Sequence, residues 1–82
     1  MFLYVRFLGE YFEVKRYDSI QRIIEVSIRD IKTKRALPCS VIDAEGNVLY
    51  NKKELIRAIE EYCLRVGVDC EFYAHLHPFV RL

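Results

Sequence analysis

The stretch FLYVRFLGEYFEVKRY, residues 2–17, decides how the rest of the chain is read. Gly9-Glu10 splits it into FLYVRFL and YFEVKRY, and a glycine followed by one residue is a two-residue hairpin loop of the primed kind. That register sets Phe7 opposite Phe12, Val5 opposite Val14, and Arg6 opposite Glu13. Two apolar pairs on one side and an ion pair on the other are what a hairpin in register supplies.

Working outward, Asp18 and Ser19 both suit a helix N-cap, and Gln21 stands three residues after Asp18 as in a capping box. Ile20, Ile23, Ile24, Ser27, Ile28 and Ile31 then recur at helical spacing, with Arg22, Glu25, Arg29 and Lys32 on the far side. This helix should end near Lys34–Arg35, before Leu37-Pro38 forces the backbone to extend. PCSVIDAEGNVLY, 38–50, reads as a second hairpin with Gly46 in the left-handed position of its turn. Asn51 caps a second helix carrying Glu54 and the stripe Leu55, Ala58, Ile59, Tyr62, Cys63 and Val66, ended by Gly67. A closing strand is expected around 69–76.

The expected fold is therefore α+β: an antiparallel sheet of about five strands, in the order β-β-α-β-β-α-β, with two helices on one face. At 82 residues the chain has room for one domain, 1–82, and with 52% apolar residues it can build a core without staples. Tyr-Asp-Ser-Ile-Gln at 17–21 and Tyr-Asn-Lys-Lys-Glu at 50–54 look alike, as strand-to-capped-helix junctions tend to.

Charge is balanced at 13 basic against 12 acidic side chains, which argues against a dedicated electrostatic binder of nucleic acid or membrane. Cys39, Cys63 and Cys70 are odd in number and lack C-x-x-C spacing, so free thiols in the cytoplasm are expected. MFLYVRFLGEYFEV has neither a basic start nor a long apolar run, so a leader or membrane span is not expected there.

CEFYAHLHPF, 70–79, offers a cysteine and two histidines for a metal. In a strand, however, Cys70 points opposite to His75 and His77, and a closed zinc site wants four ligands. No metal or other cofactor is expected. No serine or cysteine stands in a recognisable nucleophile arrangement, and each of the three glycines is accounted for by a turn or helix end. Enzyme activity is not expected.

The functional expectation rests on side-chain parity. Leu3, Val5, Phe7, Phe12, Val14, Phe72, Ala74 and Leu76 should face the helices. The opposite face would then hold Phe2, Tyr4, Arg6, Leu8, Tyr11, Glu13, Lys15 and Tyr17, joined by Tyr73, His75 and His77. Rings interleaved with cations on an uncovered sheet face mark a contact surface. The contact residues expected are Tyr4, Arg6, Tyr11, Lys15, Tyr17, Tyr73, His75 and His77. Their partner would be another protein or a second copy in a homodimer, making the chain a regulator, adaptor or inhibitor. The alternative partner is single-stranded nucleic acid stacked on the same rings. A third possibility is that the rings fill the sheet surface or lie under the tail PFVRL.

Overall fold

A computed structural model describes residues 1–67. Strand β1 spans Phe2–Phe7, β2 Phe12–Tyr17, helix α1 Ile20–Lys32, β3 Leu37–Asp43, β4 Val48–Tyr50 and helix α2 Lys52–Val66. The result is an α+β fold with a four-stranded antiparallel sheet in the order β2-β1-β3-β4. The fifth strand expected at 69–76 lies outside the described residues, and the four strands here are a count of the described residues alone.

The opening hairpin has the expected register: Phe7 meets Phe12, Val5 meets Val14, and Arg6 meets Glu13. Gly9 makes this turn possible, because its φ of 103° is a conformation that a side chain would strain. The second hairpin closes through Gly46, whose N–H donates to the Asp43 carbonyl. The Asp43 carboxylate accepts from the Glu45 and Asn47 amides, an Asx turn built on top of the backbone one.

Both helices begin on side-chain caps. Ser19, rather than Asp18, caps α1, its hydroxyl accepting from the Arg22 amide at 3.1 Å. Asn51 and Glu54 form a reciprocal capping box at α2, as expected, and Gly67 ends that helix in the left-handed region. The two caps sit at different distances from the preceding tyrosine, two residues after Tyr17 and one after Tyr50, so the similar phrases are not equivalent in structure.

Helix α1 stops at Lys32, before the expected Lys34–Arg35. Lys34 takes a φ of 56°, which lets the Lys34 amide donate to the Ile31 carbonyl and the Arg35 amide to the Asp30 carbonyl. This is the Schellman closure with lysine where glycine is usual.

The order β2-β1-β3 dictates what lies over what. β2 and β3 run parallel with β1 between them, so the chain that joins them through α1 must pass across one face of the sheet. The core forms on that face. Tyr4 of β1 and Val41 of β3 are fully buried with Ile23, Ile24, Val26, Ile28 and Ile31 of α1 and Leu55, Ile56, Ile59 and Cys63 of α2. The α2 stripe is largely as expected, except that Ile56 joins the buried set and Val66 is exposed.

Side-chain parity is the reverse of the expectation. Residues paired across strands share a face, so the buried Tyr4 and Val41 place the rows Glu13–Arg6–Pro38 and Lys15–Tyr4–Val41–Tyr50 on the helix side. Leu3, Val5, Phe7, Phe12 and Val14, expected beneath the helices, lie on the other face.

Candidate functional site: the open face of the sheet

The reversal follows from a charge inside the core. Asp30 falls on the buried side of α1, one turn beyond Ser27 and two beyond Ile23, and keeps only 2% of its surface exposed. A carboxylate removed from water requires a partner. Arg6 supplies it: Nη1 donates to Asp30 Oδ1 and Oδ2, each at 2.9 Å, while Nε and Nη2 donate to Glu13 Oε1. The Tyr4 hydroxyl donates to Asp30 Oδ2 at 3.1 Å. With odd residues of β1 turned inward, Asp30 would face only Leu3, Val5 and Phe7. The even residues go in because two of them bond to it.

The ionisation of these groups follows the same contacts. Burial works against the Arg6 charge, but the hydrogen bonds it donates to Asp30 and Glu13 outweigh that and hold the guanidinium more firmly protonated than usual. Burial pushes the Tyr4 phenol well above its ordinary value. The Ser27 hydroxyl opposes this, and the Asp30 charge adds to it. Glu13 is lowered, chiefly by its hydrogen bond from Arg6.

The expected contact residues are thus distributed as follows. Tyr4 and Arg6 are buried in the core layer, which corrects their placement on an uncovered face. Tyr17 is half-buried, packs against the core, and meets the Tyr4 ring at a centroid distance of 6.3 Å. Lys15 shares the helix side but is exposed on β2, the outermost strand among the described residues, and Tyr11 is exposed at the hairpin tip. Tyr73, His75 and His77 lie outside the described residues. Asp30 is not among the residues expected from the sequence, and its position on the isoleucine stripe is the signal that could have found the network.

The face that α1 and α2 leave uncovered is apolar in three rows. Phe12–Phe7–Leu37 form one, Val14–Val5–Ser40 the next, and Arg16–Leu3–Ile42–Val48 the third. Phe12, Val14 and Val48 are more than half exposed. The Phe7 and Phe12 rings meet at 5.0 Å, tilted by 50°, an edge-biased geometry favoured by aromatic pairs. Arg16, at one corner, is the only charged residue in these rows.

At the other end of the face a cleft of about 420 Å³ is lined by Phe7, Phe12, Leu37, Cys39 and Lys52. It opens because β4 is short: its last residue, Tyr50, pairs with Val41, and Leu37–Ser40 extend past it. Cys39 is the extra residue of a bulge, since Val5 pairs with Ser40 and Arg6 with Pro38. Burial pushes the Cys39 thiol up, against the pull of the nearby Lys52 charge.

Among the described residues no three side chains of the His, Cys, Asp and Glu kinds gather as a metal would need, and no helix is long and apolar enough to cross a membrane. Comparison with protein-family models, with curated proteins and with solved structures finds no match.

Proposed function

We propose that this chain is a protein–protein interaction module that works by contact rather than catalysis, and that its first partner is a second copy of itself. The observation that supports this is the open sheet face. Leu3, Val5, Phe7, Phe12, Val14, Ile42 and Val48 spread across all four described strands with one charge at the margin. An antiparallel sheet that faces water on one side ordinarily alternates polar residues there, and a contiguous apolar patch usually marks a contact.

A surface this poor in charge can meet itself about a two-fold axis without opposing like charges. Two such sheets stacked face to face would form the sandwich that sheet proteins build internally. The module would act as a regulator, adaptor or inhibitor in the cytoplasm, where Cys39 and Cys63 stay as free thiols. Base stacking has less support on this fold, because Tyr4 and Tyr17 belong to the helix side.

Sedimentation of the parent chain and of Val14→Glu tests the proposal. The parent is expected to be a concentration-dependent dimer and the variant a folded monomer, since Val14 is 54% exposed and its replacement leaves the core untouched. A parent that stays monomeric at every concentration, or a variant that dimerises equally well, would overturn it.

A further inference from the structure

We infer that the cationic surface around the end of α1 is a docking site for an extended protein segment rich in aspartate and glutamate. It lies on the helix side of the sheet, away from the open face, and does not depend on self-association. Lys32, Lys34 and Arg35 follow one another closely, and Arg29 stands one turn before Lys32. Lys15 of β2 joins them, because its charge and that of Arg35 are both felt at the Glu13 carboxylate. All five side chains belong to exposed residues.

Three observations set this cluster apart from an ordinary solvated surface. None of the five enters an ion pair or side-chain hydrogen bond among the described residues, and the carboxylates nearby are committed elsewhere. Asp30 and Glu13 are held by Arg6, and Glu25, one turn before Arg29, pairs with Arg22. The end of α1 does not require these cations as donors either. Its Arg29, Asp30 and Ile31 carbonyls accept from the Thr33, Arg35 and Lys34 amides. Finally, Lys34 holds a φ of 56° at the position glycine usually fills. A strained residue kept where an unstrained one would close the helix points to a use for its side chain.

An acidic protein segment fits this chemistry. Extended backbone presents carboxylates at regular spacing, and the long lysine and arginine stems can follow them, arginine with paired donors. Nucleic acid fits less well. It gains much of its hold from rings on which bases stack, and on this side Tyr4 is buried and Tyr17 half-buried. The net charge of +1 also supplies little of the long-range field that draws phosphate backbones.

The test is a fluorescence anisotropy titration of labelled octaglutamate with the full chain, joined to a nuclear magnetic resonance map of the amides that shift. At low salt octaglutamate should bind saturably, with shifts centred on residues 29–35 and Lys15. Lys32→Gln and Arg35→Gln should each weaken binding about threefold. Lys53→Gln and Arg57→Gln, at exposed positions of α2, should leave it unchanged. Lys34→Gly should weaken binding by a similar factor while raising the denaturation midpoint, a split that a purely structural lysine would not give. Salt that shortens the Debye length to about 8 Å should weaken binding severalfold. Shifts centred elsewhere, equal losses from the α2 variants, or no saturable binding at low salt would each overturn the assignment. So would a Lys34→Gly chain that binds as well as the parent, or one that loses stability along with binding. A thymidine octanucleotide that binds more tightly than octaglutamate would overturn it in favour of nucleic acid.

Discussion

The two faces of this sheet carry opposite kinds of side chain, and each carries the kind that elementary hydropathy would assign to the other. On the helix side of the sheet lie Tyr4, Arg6 and Glu13, which meet Asp30 of α1; on the open side lie leucine, valine, isoleucine and phenylalanine. The inner face is tolerable because its polar groups are mutually satisfied. Arg6 reaches both Asp30 and Glu13, and Tyr4 completes the bonds of the Asp30 carboxylate. The outer face has no such closure among the described residues, and that imbalance motivates a partner. Burial is thus decided by which groups find each other as much as by which avoid water.

The largest effect should come from breaking the inner network. Arg6→Met leaves Asp30 buried without its cation and should cost about 3–5 kcal/mol of unfolding free energy, measured by urea denaturation. Adding Asp30→Leu should recover most of that loss, because an apolar replacement of a whole buried pair is often neutral. A double variant as unstable as the single one would show that the network does more than satisfy itself.

A middle-sized effect is expected at Tyr4. Tyr4→Phe removes one hydrogen bond to Asp30 and should cost about 1 kcal/mol near neutral pH. The same phenol predicts an alkaline limb. Its folded pKa is raised above the ordinary value of 10.0, so the stability it contributes is fully present below about pH 10 and falls as pH rises from there toward the folded value. Thermal melts above pH 10 should show a steeper decline for the parent than for Tyr4→Phe. On the acidic side, Glu13 is lowered in the folded chain by Arg6. Its contribution therefore holds above the unfolded carboxylate value and fades as pH drops through the folded one.

The smallest effects belong to the outer face and the helix end. Val14→Ser should change monomer stability by no more than about 0.5 kcal/mol, in contrast to the inner face. Lys34→Gly, which relieves a left-handed lysine at the end of α1, should stabilise the fold by up to about 1 kcal/mol. Denaturant midpoints of both variants sharpen the contrast between a surface that is built for contact and a core that is built for closure.

Much of the architecture was legible in the chain. Gly9-Glu10 fixed the register of the first hairpin, Asn51 with Glu54 announced the second helix, and Gly67 marked its end. Facing was not legible from the same signals, because a hairpin's cross-strand pairs are identical whichever side is turned inward. Val5 opposite Val14 is as good a pair in water as in a core, and Arg6 opposite Glu13 as good an ion pair. The missing information was a relation between distant elements, Arg6 with Asp30 across 24 positions. A helix stripe of Ile23, Ser27 and Asp30 carries that information in its last member. The cleft was beyond reach for a similar reason, since it depends on where β4 stops relative to the bulge at Cys39.

The most direct test of the central claim is an isotope-filtered nuclear Overhauser experiment on a mixture of labelled and unlabelled chains. Contacts between copies are predicted among the methyl groups of Leu3, Val5, Val14 and Ile42 and the rings of Phe7 and Phe12. Intermolecular contacts confined to other surfaces, or none at concentrations where the chain is fully folded, would contradict it.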